Sequence, residues 1–335
     1  MHTNAHRCLH RIRVYSCSFA VIFVSSCGGY ADFTLATPDA GGPRPPFHWQ
    51  ADPDPVIRRS SATDVLNPSV IRWHDAYLNL YSEYDGKTWH TALATSKDGV
   101  HWEKHGLVLS PSGWEGDYIA ANGSALASND RILCWYQAGD PPRIALAESK
   151  DGEHWQKNPA PVVDLGPRGS FDERGVSDPY VIRAGEFFYL FYTGLDRARR
   201  QRLGVARSAD GEHWGKLRSN PILEMGAPGA FDENGLGEPA VWSSAGQWWL
   251  LYTGRAVNEQ RRIGLAKSSD GVNWERDTSF APISGDQPWD REVICDPSVE
   301  VAPEEIRVWF GAGDKRSPDQ NLDGQIGLGR LIPAR

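Results

Sequence analysis

The chain has 335 residues, of which 40% are hydrophobic and 23% charged, and it carries a formal net charge of −8. That balance suits a globular protein with a sizeable core, and without a basic block it excludes a nucleic-acid partner held by phosphate neutralisation. Fourteen Trp and 34 Gly point to a turn-rich, all-β chain with extensive aromatic packing.

Residues 1–27 read as a lipoprotein-type signal peptide. A basic start (Arg7, Arg11, Arg13) precedes the apolar run Phe19–Val24, too short to span a bilayer. Val24-Ser25-Ser26-Cys27 then resembles a lipoprotein processing site with Cys27 as the lipidated residue. Plain secretion is the alternative, because Leu is usual where Val24 stands. The implied location is extracytoplasmic, with membrane contact only through the lipid. Residues 28–46, rich in Gly, Pro, Ala and Asp, read as a flexible tether. Beyond them only Cys134 and Cys295 remain, both in apolar strand contexts and expected as buried thiols. With no CxxC pair and no HExxH helix, neither a metal nor a cofactor is expected.

From residue 47 onward one motif recurs: a polar residue, usually followed by Pro, opening an apolar strand. It stands at Asn67, Asn122, Asp178, Glu238 and Asp296, and such a period marks a repeat architecture. Unit three resolves into strands at 179–183, 187–192, 203–206 and 221–223. Between the third and fourth lies Ser208-Ala209-Asp210-Gly211-Glu212-His213-Trp214, and Asp-Gly between β-segments is a strong hairpin signal. The hairpin returns at Asp98-Gly99, Asp151-Gly152 and Asp270-Gly271. It has one residue fewer than a sialidase Asp box, so it is read as a structural turn. The fifth unit runs out after three strands, and Trp49 with Val56-Ile57 matches the missing piece. The expected fold is a five-bladed β-propeller over 47–335. Each blade has four antiparallel strands, and the N-terminal segment closes the ring. A monomer is expected.

In that topology the five motif residues ring the channel mouth, and the Asp-Gly hairpins occupy the opposite face. Three converging carboxylates (Asp178, Glu238, Asp296) are costly unless protonated, paired or used, which makes them the candidate catalytic groups. Asp172, Asp232 and Asp290, each following an aromatic in the preceding loop, are expected to brace loops. Asn67, Asn122 and Arg255 are candidate substrate ligands, and Tyr118, Tyr180, Trp242 and Trp289 are candidate stacking platforms for a sugar ring.

Five repeats, acid-Pro strand starts, the Tyr-Thr-Gly strand ends at 192–194 and 252–254, and the Ser-x-Asp-Gly-x-x-Trp hairpins together resemble the five-bladed propeller glycosidases. These are glycoside hydrolase family 43 and its arabinanase, β-xylosidase, invertase and levansucrase relatives. The resemblance implies a carbohydrate substrate and carboxylate acid/base catalysis. In the family pattern the first two blades supply acids and the third a Glu, whereas this chain presents Asn67, Asn122 and Asp178. An amide can neither take the proton nor attack, so those roles do not carry over. The remaining carboxylates suggest Asp178 and Asp296 as the acid/base pair with Glu238 as modulator or alternate acid. Two alternatives stay open: a non-catalytic glycan-binding propeller, and a glycoside phosphorylase, which would need a cationic pocket that no Arg/His cluster beside the carboxylates suggests.

Overall fold

The computed structural model describes residues 29–334; the signal-peptide segment and Cys27 lie outside the described residues. The architecture is all-β. Two strands come first, β1 (Tyr30–Ala31) and β2 (Phe47–Ala51). Four antiparallel units of four strands follow. Unit one comprises β3 (Asp64–Trp73), β4 (Ala76–Tyr84), β5 (Trp89–Ser96) and β6 (Glu103–Leu109). Unit two comprises β7 (Ile119–Ser128), β8 (Arg131–Ala138), β9 (Arg143–Ser149) and β10 (Trp155–Lys157). Unit three comprises β11 (Gly175–Ala184), β12 (Phe187–Leu195), β13 (Gln201–Ser208) and β14 (Gly215–Leu217). Unit four comprises β15 (Gly235–Ser244), β16 (Gln247–Arg255), β17 (Arg261–Ser268) and β18 (Glu275–Arg276). The fifth unit has β19 (Val293–Val301), β20 (Ile306–Gly313) and β21 (Gln325–Pro333), and β2 supplies its outer strand by antiparallel pairing with β21.

The fourth strand of unit three falls earlier than its apolar run suggests. Residues 215–217 form β14, whereas Leu223 makes only an isolated bridge to Leu203. The Asp-Gly turn closes directly onto β13, and the chain then leaves the sheet before Pro221 brings it back.

The first strands of the units lie against one another in sequence order, and β19 also lies against β3. Serine side chains stitch them together. Ser69 Oγ accepts from Ala125 N at 2.8 Å, Ser124 Oγ from Val181 N at 2.9 Å, and Ser298 Oγ from Val70 N at 3.1 Å. The core is distributed between neighbouring units. Phe191, Leu203, Leu236 and Tyr252 pack between units three and four, and Trp249, Ile263, Ile294 and Phe310 between four and five.

The segment expected as a free tether is docked. β1 pairs in parallel with β14, Leu35 N donates to Asp270 O at 2.8 Å, and Trp248 Nε1 donates to Ala36 O at 3.0 Å. Leu35 is buried in the core between units three and four. Its composition resembles a linker, but its Tyr, Phe and Leu at 30, 33 and 35 have apolar surface to hide. Among the described residues no helix is long and apolar enough to cross a membrane.

Candidate active site

Each first strand is broken at its motif residue. The antiparallel register slips across Asn67-Pro68, Asn122-Gly123, Asp178-Pro179, Glu238-Pro239 and Asp296-Pro297. All five motif residues sit at positive φ, between 45° and 54°. For residues other than Gly this is an uncommon conformation that Asn and Asp tolerate best. Such bulges re-aim a side chain, and here they bring the five side chains to the lining of one cavity of about 1060 Å³.

At the floor, Asp296 is buried at 6% exposure. Its Oδ2 accepts from Asn67 N at 3.2 Å and from the Cys295 thiol at 3.1 Å, while its own N–H donates to Thr253 Oγ1 at 3.2 Å. Asp178 is half-buried; its Oδ1 accepts from Asn122 Nδ2 and its Oδ2 from Ser177 Oγ, at 3.2 and 3.0 Å. Ser82 and Gln137 complete the Asn122 amide, at 3.0 and 3.2 Å. Glu238 lines the cavity, and its Oε2 is buried without a hydrogen-bond partner.

Electrostatics follow from this crowding. Burial, and then the Glu238 carboxylate, push Asp178 up to about 6. The same two causes in the same order raise Asp296 well above the ordinary carboxylate range, against the opposing Cys295 hydrogen bond and Arg261 charge. Arg261 is itself buried, held by the Ser317 and Pro318 carbonyls. Burial opposes its charge, but the neighbouring Cys295, Glu238 and Asp296 more than offset this. The arrangement therefore offers, at Asp178, a carboxyl that keeps its proton to about pH 6, near a second carboxyl group, Glu238, one oxygen of which no protein donor engages.

The aromatic expectations divide. Tyr118 is 41% exposed and lines the cavity. Trp242 does not: it is buried and stacked on Trp249 at 6.4 Å between centroids. Trp289 is stacked on Phe310, with its Nε1 donating to Pro53 O at 3.0 Å. Tyr180 packs against the cores on either side of unit four. Tyr180 and Trp242 follow a bulge that turns its motif residue, not theirs, into the cavity, and Trp289 lies in the loop before β19 and packs back onto unit five. Arg255 lines the cavity as expected, with Nη2 2.5 Å from Gln201 Oε1. The loop-bracing reading of three aspartates matches the structure. Tyr192 and Lys216 donate to Asp172, Tyr252 and Arg276 to Asp232, and Gln287 N to Asp290.

Sequence reasoning singled out Arg174 and Arg255 on the cavity face, as groups that could lower a carboxylate pKa or hold a substrate hydroxyl, but missed Arg197, Arg199 and Arg261. Arg174, Arg197, Arg199 and Arg261 join Arg255 in the cavity lining, so the expectation of no Arg cluster beside the carboxylates is corrected. Arg197 and Arg199 come from the loop after β12, Arg174 from the loop before β11, while Arg255 ends β16 and Arg261 opens β17. The run Asp196-Arg197-Ala198-Arg199-Arg200-Gln201-Arg202 was the available signal for the first two. Among the described residues, no group of His, Cys, Asp and Glu side chains is arranged to hold a metal ion.

The family model described as "Glycosyl hydrolases family 32 N-terminal domain" matches residues 145–294. An uncharacterised protein, Rv1502 of Mycobacterium tuberculosis, is 26% identical over 231 residues, 63% of this chain and 75% of that one. A probable sucrose-6-phosphate hydrolase of Psychromonas ingrahamii is 28% identical over 179 residues, 52% of this chain but only 31% of the relative. Among solved structures, a glycoside hydrolase superposes with a TM-score of 0.65 at 19% identity, covering 90% of this chain and 93% of its own. The resemblance to the propeller glycosidases drawn from the repeats is thus matched by family model and by fold.

Proposed function

We propose that the protein is an extracytoplasmic glycoside hydrolase built on a five-bladed propeller, its ring completed by β2, acting on an oligo- or polysaccharide in the cavity at the strand-one ends. The observation that carries the reading is a proton-retaining Asp178 beside Glu238, whose Oε2 has no protein partner. Glycoside hydrolysis requires one protonated carboxyl at the leaving oxygen and one carboxylate at the water or the anomeric carbon. Asp178 is assigned as the acid: it gives its proton to the glycosidic oxygen as the bond to the anomeric carbon breaks. Glu238 is assigned as the carboxylate on the other side of the bond.

Asp296 then acts through its neighbours. It is more enclosed than the other two and its Oδ2 is engaged by Asn67 and Cys295, so it shapes the floor of the cavity rather than reaching the scissile bond. This exchanges the roles first suggested for Glu238 and Asp296. The basic-apolar-Cys27 pattern of the first residues supports lipid anchoring outside the cytoplasm.

The test is a reducing-sugar screen over fructan, sucrose, arabinan, xylan, mannoside and galactoside substrates, followed by variants on whichever is cleaved. Asp178→Asn and Glu238→Gln should each lower kcat by about 10²–10⁴-fold, and Asp296→Asn should lower it less. Unchanged turnover in Asp178→Asn and Glu238→Gln together would sink the assignment. Glycan binding with no cleavage of any substrate would favour a binding protein, the reading that the amides at Asn67 and Asn122 support.

A further inference from the structure

Units three and four build the same turn between their second and third strands. In unit three Asp196 N donates to Arg200 O and Arg199 N to Asp196 O; in unit four Ala256 N donates to Gln260 O and Glu259 N to Ala256 O. Arg199 and Glu259 occupy the same left-handed position, with φ of 62° and 64°. The preceding loops also correspond, Arg174 N donating to Leu195 O and Asn234 N to Arg255 O. On this shared backbone unit four carries Asn234, Val257 and Glu259 where unit three carries Arg174, Arg197 and Arg199. All three replacements add positive charge, and all three arginines line the cavity, in a chain whose net charge is −8.

The unit-three turn is held for display. Asp196 is buried at 5% exposure; it accepts from Arg200 N at 2.9 Å, Arg200 Nε at 2.7 Å and Arg202 Nη2 at 3.0 Å, leaving Arg197 and Arg199 exposed. Glu173 pairs with Arg197 at 3.1 Å, and among the described residues neither Arg174 nor Arg199 forms an ion pair. The trio with Glu173 thus leaves two positive charges uncompensated. Across the wall Arg255 has a buried Nε without a hydrogen-bond partner. Asp140 and Asp319 also line the cavity, from unit two and from the 313–324 loop.

We propose that Arg174, Arg197 and Arg199 form a phosphate subsite at the edge of the catalytic cavity. Two uncompensated charges match the −1.5 to −2 of a phosphate monoester near neutral pH, roughly, and guanidinium forks suit its oxygens. The phosphate is either an ester on the carbohydrate or free inorganic phosphate bound beside it. The proposal rests on the hydrolase reading for its location, not for its detection.

Calorimetric titration of the full chain at fixed ionic strength tests it, with inorganic phosphate, glucose 6-phosphate, fructose 6-phosphate and the neutral sugars as probes. A sugar phosphate that binds at least tenfold more tightly than its neutral sugar and than inorganic phosphate assigns the ester. Inorganic phosphate binding as tightly as either sugar phosphate assigns the free anion. In both cases Arg174→Ser/Arg197→Ser/Arg199→Ser, shown folded by its melt, should weaken binding at least tenfold, and Arg199→Lys less than Arg199→Ser. No binding of any phosphate, or equal binding by the folded triple variant, overturns the proposal. Glu238→Gln should keep phosphate binding, so failure of the subsite and failure of the hydrolase assignment give different results.

Discussion

Asp178 shows what a residue can cost the fold for the sake of chemistry. Burial and Glu238 raise its pKa from 3.8 to about 6, so between those values the folded chain holds a proton that the unfolded chain has released. Stability attributable to this group therefore falls as pH rises from about 4 to about 6, and stays reduced above. Asp178→Asn removes the penalty while keeping an oxygen for the Asn122 amide. The variant should melt at a higher temperature than the parent at pH 8 and at nearly the same temperature at pH 4. Thermal melts across pH 4–8 check this, and a gain that is uniform with pH would contradict it. Turnover should show the complementary pattern, declining as pH rises through about 6 because the acid has lost its proton.

At the scale of elements, the Asp-Gly hairpins explain both what the repeats disclosed and what they hid. In each, Asp Oδ1 accepts from two following N–H groups and Ser Oγ accepts from the Gly N–H, as at Asp210 and Ser208 with distances of 2.8–2.9 Å. The Gly then seats against the next packing layer: Gly99 on Trp309, Gly211 on Trp135, Gly152 on Leu78. Such turns are local chemistry, so the sequence discloses them with the strands they join. Gly271 breaks the series by seating on Leu35 from the N-terminal segment. The apolar residues at 30, 33 and 35 show that the segment has surface to hide but not where, because the partner of Leu35 is more than 200 residues away, at Gly271. The arginine wall was legible only in part: Arg174 and Arg255 stood out singly, but that Arg197, Arg199 and Arg261 join them in one cavity depends on how the strand ends of two units come together. The five motif residues were legible because a repeat places equivalent residues equivalently. Trp242 was misread because periodicity says that a side chain is near the cavity, not which way a bulge turns it, and Trp289 because its partners, Phe310 and Pro53 O, lie in distant segments. Leu35→Ala should destabilise by about 2–4 kcal/mol, a buried Leu losing its packing, with kcat unchanged because the hairpins lie away from the cavity. Chemical denaturation measures the first and steady-state turnover the second; a loss below about 0.5 kcal/mol, the range of surface substitutions, would mean that the docked segment is not part of the core.

For the whole molecule the decisive element is β2, which joins the two ends of the described chain. Its five residues pair with β21 from Phe47↔Pro333 to Ala51↔Gly329. Phe47 sits edge-on to Trp249 at 5.7 Å and Trp49 edge-on to Phe310 at 5.6 Å, so the strand bridges units four and five. Gly329 is needed where it is, since a Cβ there would overlap the Trp49 ring. Removing β2 would forfeit about 1.5–3 kcal/mol for each large apolar side chain that loses its burial. It would also expose the hydrogen-bonding edge of β21, a template for pairing with another molecule. Two truncations separate these effects from loss of the docked segment. A chain starting at Phe47 keeps β2 and should melt cooperatively as a monomer, lowered by the contribution of Leu35 and its neighbours. A chain starting at Pro53 should lose the cooperative transition or associate, seen as a shift in light scattering. If both truncations melt alike and remain monomeric, the contacts that unit five makes with unit one through Ser298, Asp296 and Asn67 would suffice to hold the ends together. The assignment of β2 as the closing strand would then fall.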